Sequence, residues 1–158
     1  MVHIASSENL FTQTSSTLDV DAYLGIVATD ISTIFQFVDD RVADGERIRR
    51  GAVARALTLR QARGGTALGR GVMLPHAAVR RLPCARLVYV RLHGAIDIET
   101  PDHRPVRDVL TLLVRYPASP ADQVLLERIR DPYFSPILIE QLRHGYVAKA
   151  TACLMKCT

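Results

Sequence analysis

Lysine is nearly missing from this chain. Of its twenty basic residues only Lys149 and Lys156 are lysines, and the rest are arginines. The arginines are scattered, with short doublets at Arg49-Arg50 and Arg80-Arg81 and no long basic run. Zinc-finger spacing and an aromatic-rich RNA-binding pattern are also lacking. A nucleic-acid reading therefore rests only on the net charge of +4. Solvated arginines on an ordinary surface explain that charge as well, so nucleic acid is not the expected partner. Cysteine is scarce: Cys84, Cys153 and Cys157 cannot all pair within one chain, and their spacing suggests no disulfide framework. Cys153 and Cys157 could face one side of a helix as two soft ligands. No further cysteine or His pair completes a four-ligand site, so no metal is expected; they read as small apolar residues near the chain end. Long apolar runs are missing too, which argues against a membrane-spanning helix. The stretch Met1–Glu8 lacks the basic start and apolar block of a signal peptide. The expected location is the cytoplasm, without membrane insertion.

What is present fits one domain. The chain has 158 residues, 48% hydrophobic and 23% charged, ordinary for a globular protein with a real core. Residues 1–18, rich in Ser, Thr, Asn and Gln, read as a loose leader. Tyr23–Ala28 reads as a short strand. Thr29 or Asp30 can cap a helix whose apolar face is Ile31, Ile34, Phe35, Val38 and Val42, stopped by Asp44-Gly45. A second helix is predicted from about Arg47 to Arg60 or slightly beyond, with Val53, Ala56 and Leu57 as its buried stripe. Four glycines between Gly64 and Gly71 predict a shaped loop, neither helix nor strand. Arg86–Leu92 and Asp108–Tyr116 read as strands, the latter central and covered on both faces. Residues 97–102 read as a turn. Ser119-Pro120 opens a further helix, and a last one covers about Tyr133 to Arg143, ending at Gly145. Residues 19–145 thus form an α/β sandwich, followed by an atypical tail over 146–158.

The chemistry centres on Thr66-Ala67-Leu68-Gly69-Arg70-Gly71-Val72-Met73-Leu74-Pro75-His76. Glycines let a backbone approach a ligand and turn N–H groups inward, which suits a phosphoryl group. Imidazole has an ordinary pKa of about 6.5, so much of it is an uncharged nucleophile near neutral pH. It can accept a phosphoryl group on nitrogen and release it again. A guanidinium would hold the phosphate by paired hydrogen bonds. Arg60, at the end of the preceding helix, and Arg70, in the loop, are the two that could do so. Thr66 either donates its hydroxyl to the phosphate or closes a turn.

The segment Leu57–Ala77 resembles the active-site segment of the fructose/mannitol-type enzyme IIA domains of the bacterial phosphotransferase system, a family that includes the nitrogen-regulatory enzyme IIA proteins. The family pattern is an arginine at a helix end, a Ser-Thr-Gly-Ile-Gly-Asn-Gly loop, a few apolar residues and Pro-His. Arg60, Gly65–Gly71 and Val72–His76 match it without a gap. Ala95–Asp102 is similar to the family's Pro-Ile-Asp-Phe-Asp-Ala-Pro-Asp segment, and Leu126–Phe134 to its helix and Asp-Pro-x-Phe turn. The chain departs from the pattern at Ala67, Arg70 and Gln61. Ser119 or Pro120 stands where members usually carry a second histidine; His93, His103 and His144 sit elsewhere. The resemblance implies a mixed β-sheet flanked by helices. It also implies phosphorylation of His76 by an HPr-like phosphocarrier, with Arg60 and a phosphate-binding loop of Thr66, Gly69, Arg70 and Gly71 holding the charge. No cofactor is implied. The missing second histidine and the lack of an attached permease point to regulation of partner proteins, such as transporters or sensor kinases, over sugar transport.

Overall fold

The structure, a computed structural model, describes residues 3–4, 10–14 and 18–156. Its strands are β1 (His3–Ile4), β2 (Leu10–Thr14), β3 (Leu18–Val27), β4 (Ala67–Gly69), β5 (Val72–Met73), β6 (His76–Val79), β7 (Ala85–Ile96) and β8 (Val106–Arg115). Its helices are α1 (Ile31–Val42), α2 (Ala52–Ala62), α3 (Pro120–Arg130), α4 (Ser135–Arg143) and α5 (Val147–Met155). All eight strands join one mixed sheet in the order β1-β3-β7-β8-β5-β4, with β2 also on β3 and β6 also on β8. β3 runs parallel to β7, and β5 and β6 run parallel to β8; β7 and β8 are antiparallel.

Alternation along the central strands builds two cores. Val88, Val90, Val109 and Leu113 face α1 and α2. Leu87, Tyr89, Leu110 and Leu112 face α3, α4 and α5. The expected α/β sandwich is therefore the observed one, with helices on both faces. β8 carries no exposed residue between Asp108 and Leu113, as a strand covered on both sides requires.

Several local readings change. β3 begins at Leu18, five residues before the predicted strand, because Leu18, Val20 and Ala22 are buried on the α3–α5 face. Asp21 hid this strand; its carboxylate is buried and paired at 2.7 Å with Arg86 on β7. Residues 3–4 and 10–14, read as part of a loose leader, ladder against β3. The rest of that leader lies outside the described residues. The predicted loop over 64–71 is in part a strand, since β4 and β5 pair as a tight hairpin. The tail carries α5, whose Val147, Ala150 and Leu154 are buried in the second core.

The start of α2 decides where Arg60 stands. Residues 44–48 form a turn around Asp44, which accepts from the amides of Glu46, Arg47 and Ile48. The helix opens only at Ala52, five residues later than predicted. Its N-cap, Gly51, has no side chain to offer. Asp39 from α1 supplies the missing cap. Its fully buried carboxylate accepts from Gly51, Val53 and Ala54 at 2.7, 2.9 and 3.1 Å. One carboxylate thus locks α2 to α1 and complements the positive end of the helix dipole.

Candidate functional site

β5 and β6 would be one strand along β8 but for Leu74-Pro75. Proline has no N–H for the ladder, so pairing breaks there, and Pro75 keeps one bond by accepting from Leu112 at 2.9 Å. His76 is the first residue after the break. Its register partner is Leu112, which belongs to the core under α3, so the imidazole projects to that face at the sheet edge. Arg60, in the last turn of α2, meets it at the rim.

The hydrogen bonds fix the tautomer. His76 Nδ1 lies 3.0 Å from the carbonyl oxygen of Leu74, which can only accept, so Nδ1 carries the proton. Arg60 Nε, which can only donate, lies 3.2 Å from Nε2, so Nε2 carries the lone pair. Both neighbours select the same neutral form. Burial holds the imidazole pKa below its ordinary value of 6.5, and the positive charges of Arg60 and Arg130 add to the effect; the Leu74 hydrogen bond opposes it. Arg60 is itself steadied by donating to the Gly64 carbonyl at 2.9 Å.

His76 lines a cavity of about 480 Å³ between α2, β6 and α3. Arg60, Arg63, Tyr116, Asp122 and Gln123 contribute to its walls. Asp122 is held by the capping box of α3, accepting from Ser119 N at 2.7 Å. No other histidine lines this cavity among the described residues. Ser119 and Pro120, one or the other expected from the sequence to stand where the family's second histidine would, are the cap and first residue of α3.

The structure brings Arg60 and His76 together. It does not bring Thr66, Gly69, Arg70 or Gly71 to the wall of that cavity. Thr66 is buried and donates its hydroxyl to Gln61 at 2.9 Å, tying the end of α2 to the hairpin. Gly69, Arg70 and Gly71 all have left-handed φ, of 88°, 57° and 78°, and make the hairpin turn. Asp102 anchors it: its carboxylate accepts from Arg70 N at 2.7 Å and crowds Gly69, where an added Cβ would lie 3.3 Å from Oδ2. That bond is the main reason the Asp102 carboxyl is held below its usual range. The Arg70 guanidinium lines a different cavity, beside Pro132 and α4. Sequence reasoning missed the Leu74 carbonyl, Arg63, the field of Arg130 and the anchor Asp102. Only Asp102 had a signal, as the last residue of the resembling Ala95–Asp102 segment.

These features define an α/β domain in which a neutral histidine at the start of an edge strand is paired with an arginine from the neighbouring helix beside a cavity. The chain belongs to the family described as phosphoenolpyruvate-dependent sugar phosphotransferase system, EIIA 2, whose model matches residues 21–133. Its fold is similar to that of the nitrogen regulatory protein IIA-Ntr from Neisseria meningitidis, with a TM-score of 0.67 at 22% identity, covering 81% of this chain and 85% of that one. It is also similar to IIA mannitol from Escherichia coli, with a TM-score of 0.57 at 20% identity, covering 91% and 99%. A third likeness is to the complex of enzyme IIA-mannitol with phosphorylated enzyme IIB-mannitol from Escherichia coli, with a TM-score of 0.58 at 18% identity, covering 93% and 99%. No curated protein sequence matches the chain. Among the described residues no helix is long and apolar enough to cross a membrane.

Proposed function

We propose that His76 accepts a phosphoryl group on Nε2 from an HPr-like phosphocarrier, and that the phosphorylated and free forms bind partner proteins differently. The observation that carries this reading is the pair of opposed hydrogen bonds that leaves Nε2 as the ring's only nucleophilic nitrogen. In the transfer the Nε2 lone pair attacks phosphorus in line. A P–Nε2 bond forms, the donor's P–N bond breaks, and the donor imidazole recovers the electron pair. The Arg60 Nε–H, displaced from the lone pair, then faces a phosphoryl oxygen and offsets its charge. The proton stays on Nδ1, donated to the Leu74 carbonyl, so the phosphorylated ring takes on positive character and remains a good leaving group. A solitary histidine suits a two-state switch, and partners such as transporters or sensor kinases would read the added negative charge.

Incubation with phosphoenolpyruvate, enzyme I and an HPr-type carrier, followed by intact-mass measurement, tests this. One acid-labile phosphoryl group is expected; no gain in mass would remove the proposal. One observation favours a second reading, a module acting only by protein binding: the Thr66 hydroxyl and the Arg70 amide are committed to Gln61 and Asp102. The same experiment decides between them.

Two further outcomes follow from Arg60. Arg60→Gln is expected to slow phosphoryl transfer about 10²- to 10³-fold, the usual loss when one charge-stabilising donor is removed. The His76 pKa lies below 6.5 in the wild type, so acceptor strength holds above that pH and falls as pH drops through the lowered value. Removing the Arg60 charge should raise this pKa, as read by NMR titration of the His76 ring. A wild-type ring titrating above 6.5 would contradict the arrangement.

A further inference from the structure

Beside the His76 cavity, and sharing Ala56, Leu59 and Ala78 with it, lies a second depression of about 670 Å³. Arg47, Arg49, Arg55, Arg80 and Arg81 line it against one carboxylate, Glu46. Arg60 and Arg63 continue the row into the His76 mouth. None of these guanidiniums forms an ion pair among the described residues, whereas Arg86, Arg91, Arg130 and Arg143 do. The scattered arginines of the sequence are thus gathered by the fold, because α2 and the end of β6 lie side by side. Two exposed apolar side chains stand here: Leu59, which lines both depressions, at 57% of full exposure, and Tyr116, which lines the His76 cavity, at 53%. The guanidinium carbon of Arg80 lies over the Tyr116 ring, 4.3 Å from its centre.

We propose that this groove docks an acidic protein surface, that of the partner which exchanges its phosphoryl group with His76. This rests on the phosphotransfer reading above. A macromolecule that places a phosphorylated side chain at Nε2 must lie over the adjoining groove, and uncompensated positive charge there selects a negative face. The mixture of arginine with exposed tyrosine and leucine, and the absence of lysine from the groove, is the composition of a protein interface. A nucleic acid would use the same charges but brings no phosphoryl donor to imidazole. Charge complementarity of this kind acts mainly on the association rate and is weakened by salt.

The test uses one HPr-type carrier and a version with three surface residues beside its phosphohistidine changed to glutamate. Each donates to the full chain and to the triple variant Arg47→Glu/Arg55→Glu/Arg80→Glu, with Arg47→Gln/Arg55→Gln/Arg80→Gln read instead if the first does not fold. Phosphoramidate serves as a small donor that needs no docking. The acidic carrier is expected to phosphorylate the wild type at least about tenfold faster in kcat/KM than its parent at low salt. The gain should vanish in the triple variant and shrink at ~0.5 M salt, while phosphoramidate labels wild type and variant equally. Equal rates from both carriers, with phosphoramidate labelling intact, would overturn the docking surface and leave phosphotransfer standing. Failure of phosphoramidate to label either protein would remove phosphotransfer, and the docking proposal with it. Duplex DNA binding that is lost in the triple variant, with carrier transfer unchanged, would overturn the proposal in favour of a nucleic-acid surface.

Discussion

His76→Ala is expected to take up no phosphoryl group from either a protein carrier or phosphoramidate, under conditions that label the wild type to completion. The substitution removes the nucleophile itself, and no other histidine lines the cavity to replace it among the described residues. The loss should be absolute to the sensitivity of intact-mass measurement, well beyond the partial effect of changing Arg60. The fold should survive. His76 is only part-buried at the first position of an edge strand, and its side-chain bonds are to one backbone carbonyl and one arginine. A folded His76→Ala protein that still gains an acid-labile phosphate would place the acceptor elsewhere.

Asp39→Ala should give the largest loss of stability, about 3 kcal/mol, or roughly 10 °C in the unfolding midpoint. The carboxylate has no exposed surface, and three backbone amides depend on it. Alanine leaves those donors at the start of α2 without partners, where water reaches Gly51 but not Val53. The effect should extend to function, since Arg60 reaches His76 only while α2 keeps its place. Slower transfer with a raised His76 pKa is expected in the folded fraction. Asp39→Asn, which retains an acceptor oxygen, should recover part of both. Thermal unfolding with unchanged midpoint in Asp39→Ala would refute the capping role.

Much of this architecture could be read from periodicity. Of the two candidates, Thr29 and Asp30, it is Asp30 that caps α1, accepting from Thr33 N at 2.8 Å, and α3 starts at Ser119-Pro120 with a full capping box. These signals are local: a capping residue is chosen by the three residues that follow it. The misplaced start of α2 had no such signal, because its cap comes from Asp39, twelve residues before Gly51. The early part of β3 was concealed by Asp21, whose partner Arg86 is sixty-five positions away. Glycine density spoke for a loop at 64–71, yet two successive left-handed residues, Arg70 and Gly71, are also what a tight hairpin turn needs.

The site divides along the same line. Arg60 and His76 were found from spacing, and they meet in the structure. Thr66 and Arg70 were legible as polar groups in the right loop, but not their direction, which Gln61 and Asp102 set. The Leu74 carbonyl leaves no trace in a sequence at all, since every residue has one. Yet it is the group that keeps the proton on Nδ1 and so makes Nε2 the acceptor.

That assignment is tested most directly by nitrogen-15 NMR of the histidine-labelled protein before and after phosphorylation. The free protein should show His76 as the neutral Nδ1–H form at pH 7, and the phosphorylated protein should show phosphorus coupling at Nε2 alone. Phosphorus on Nδ1, or a free ring protonated at Nε2, would contradict the account.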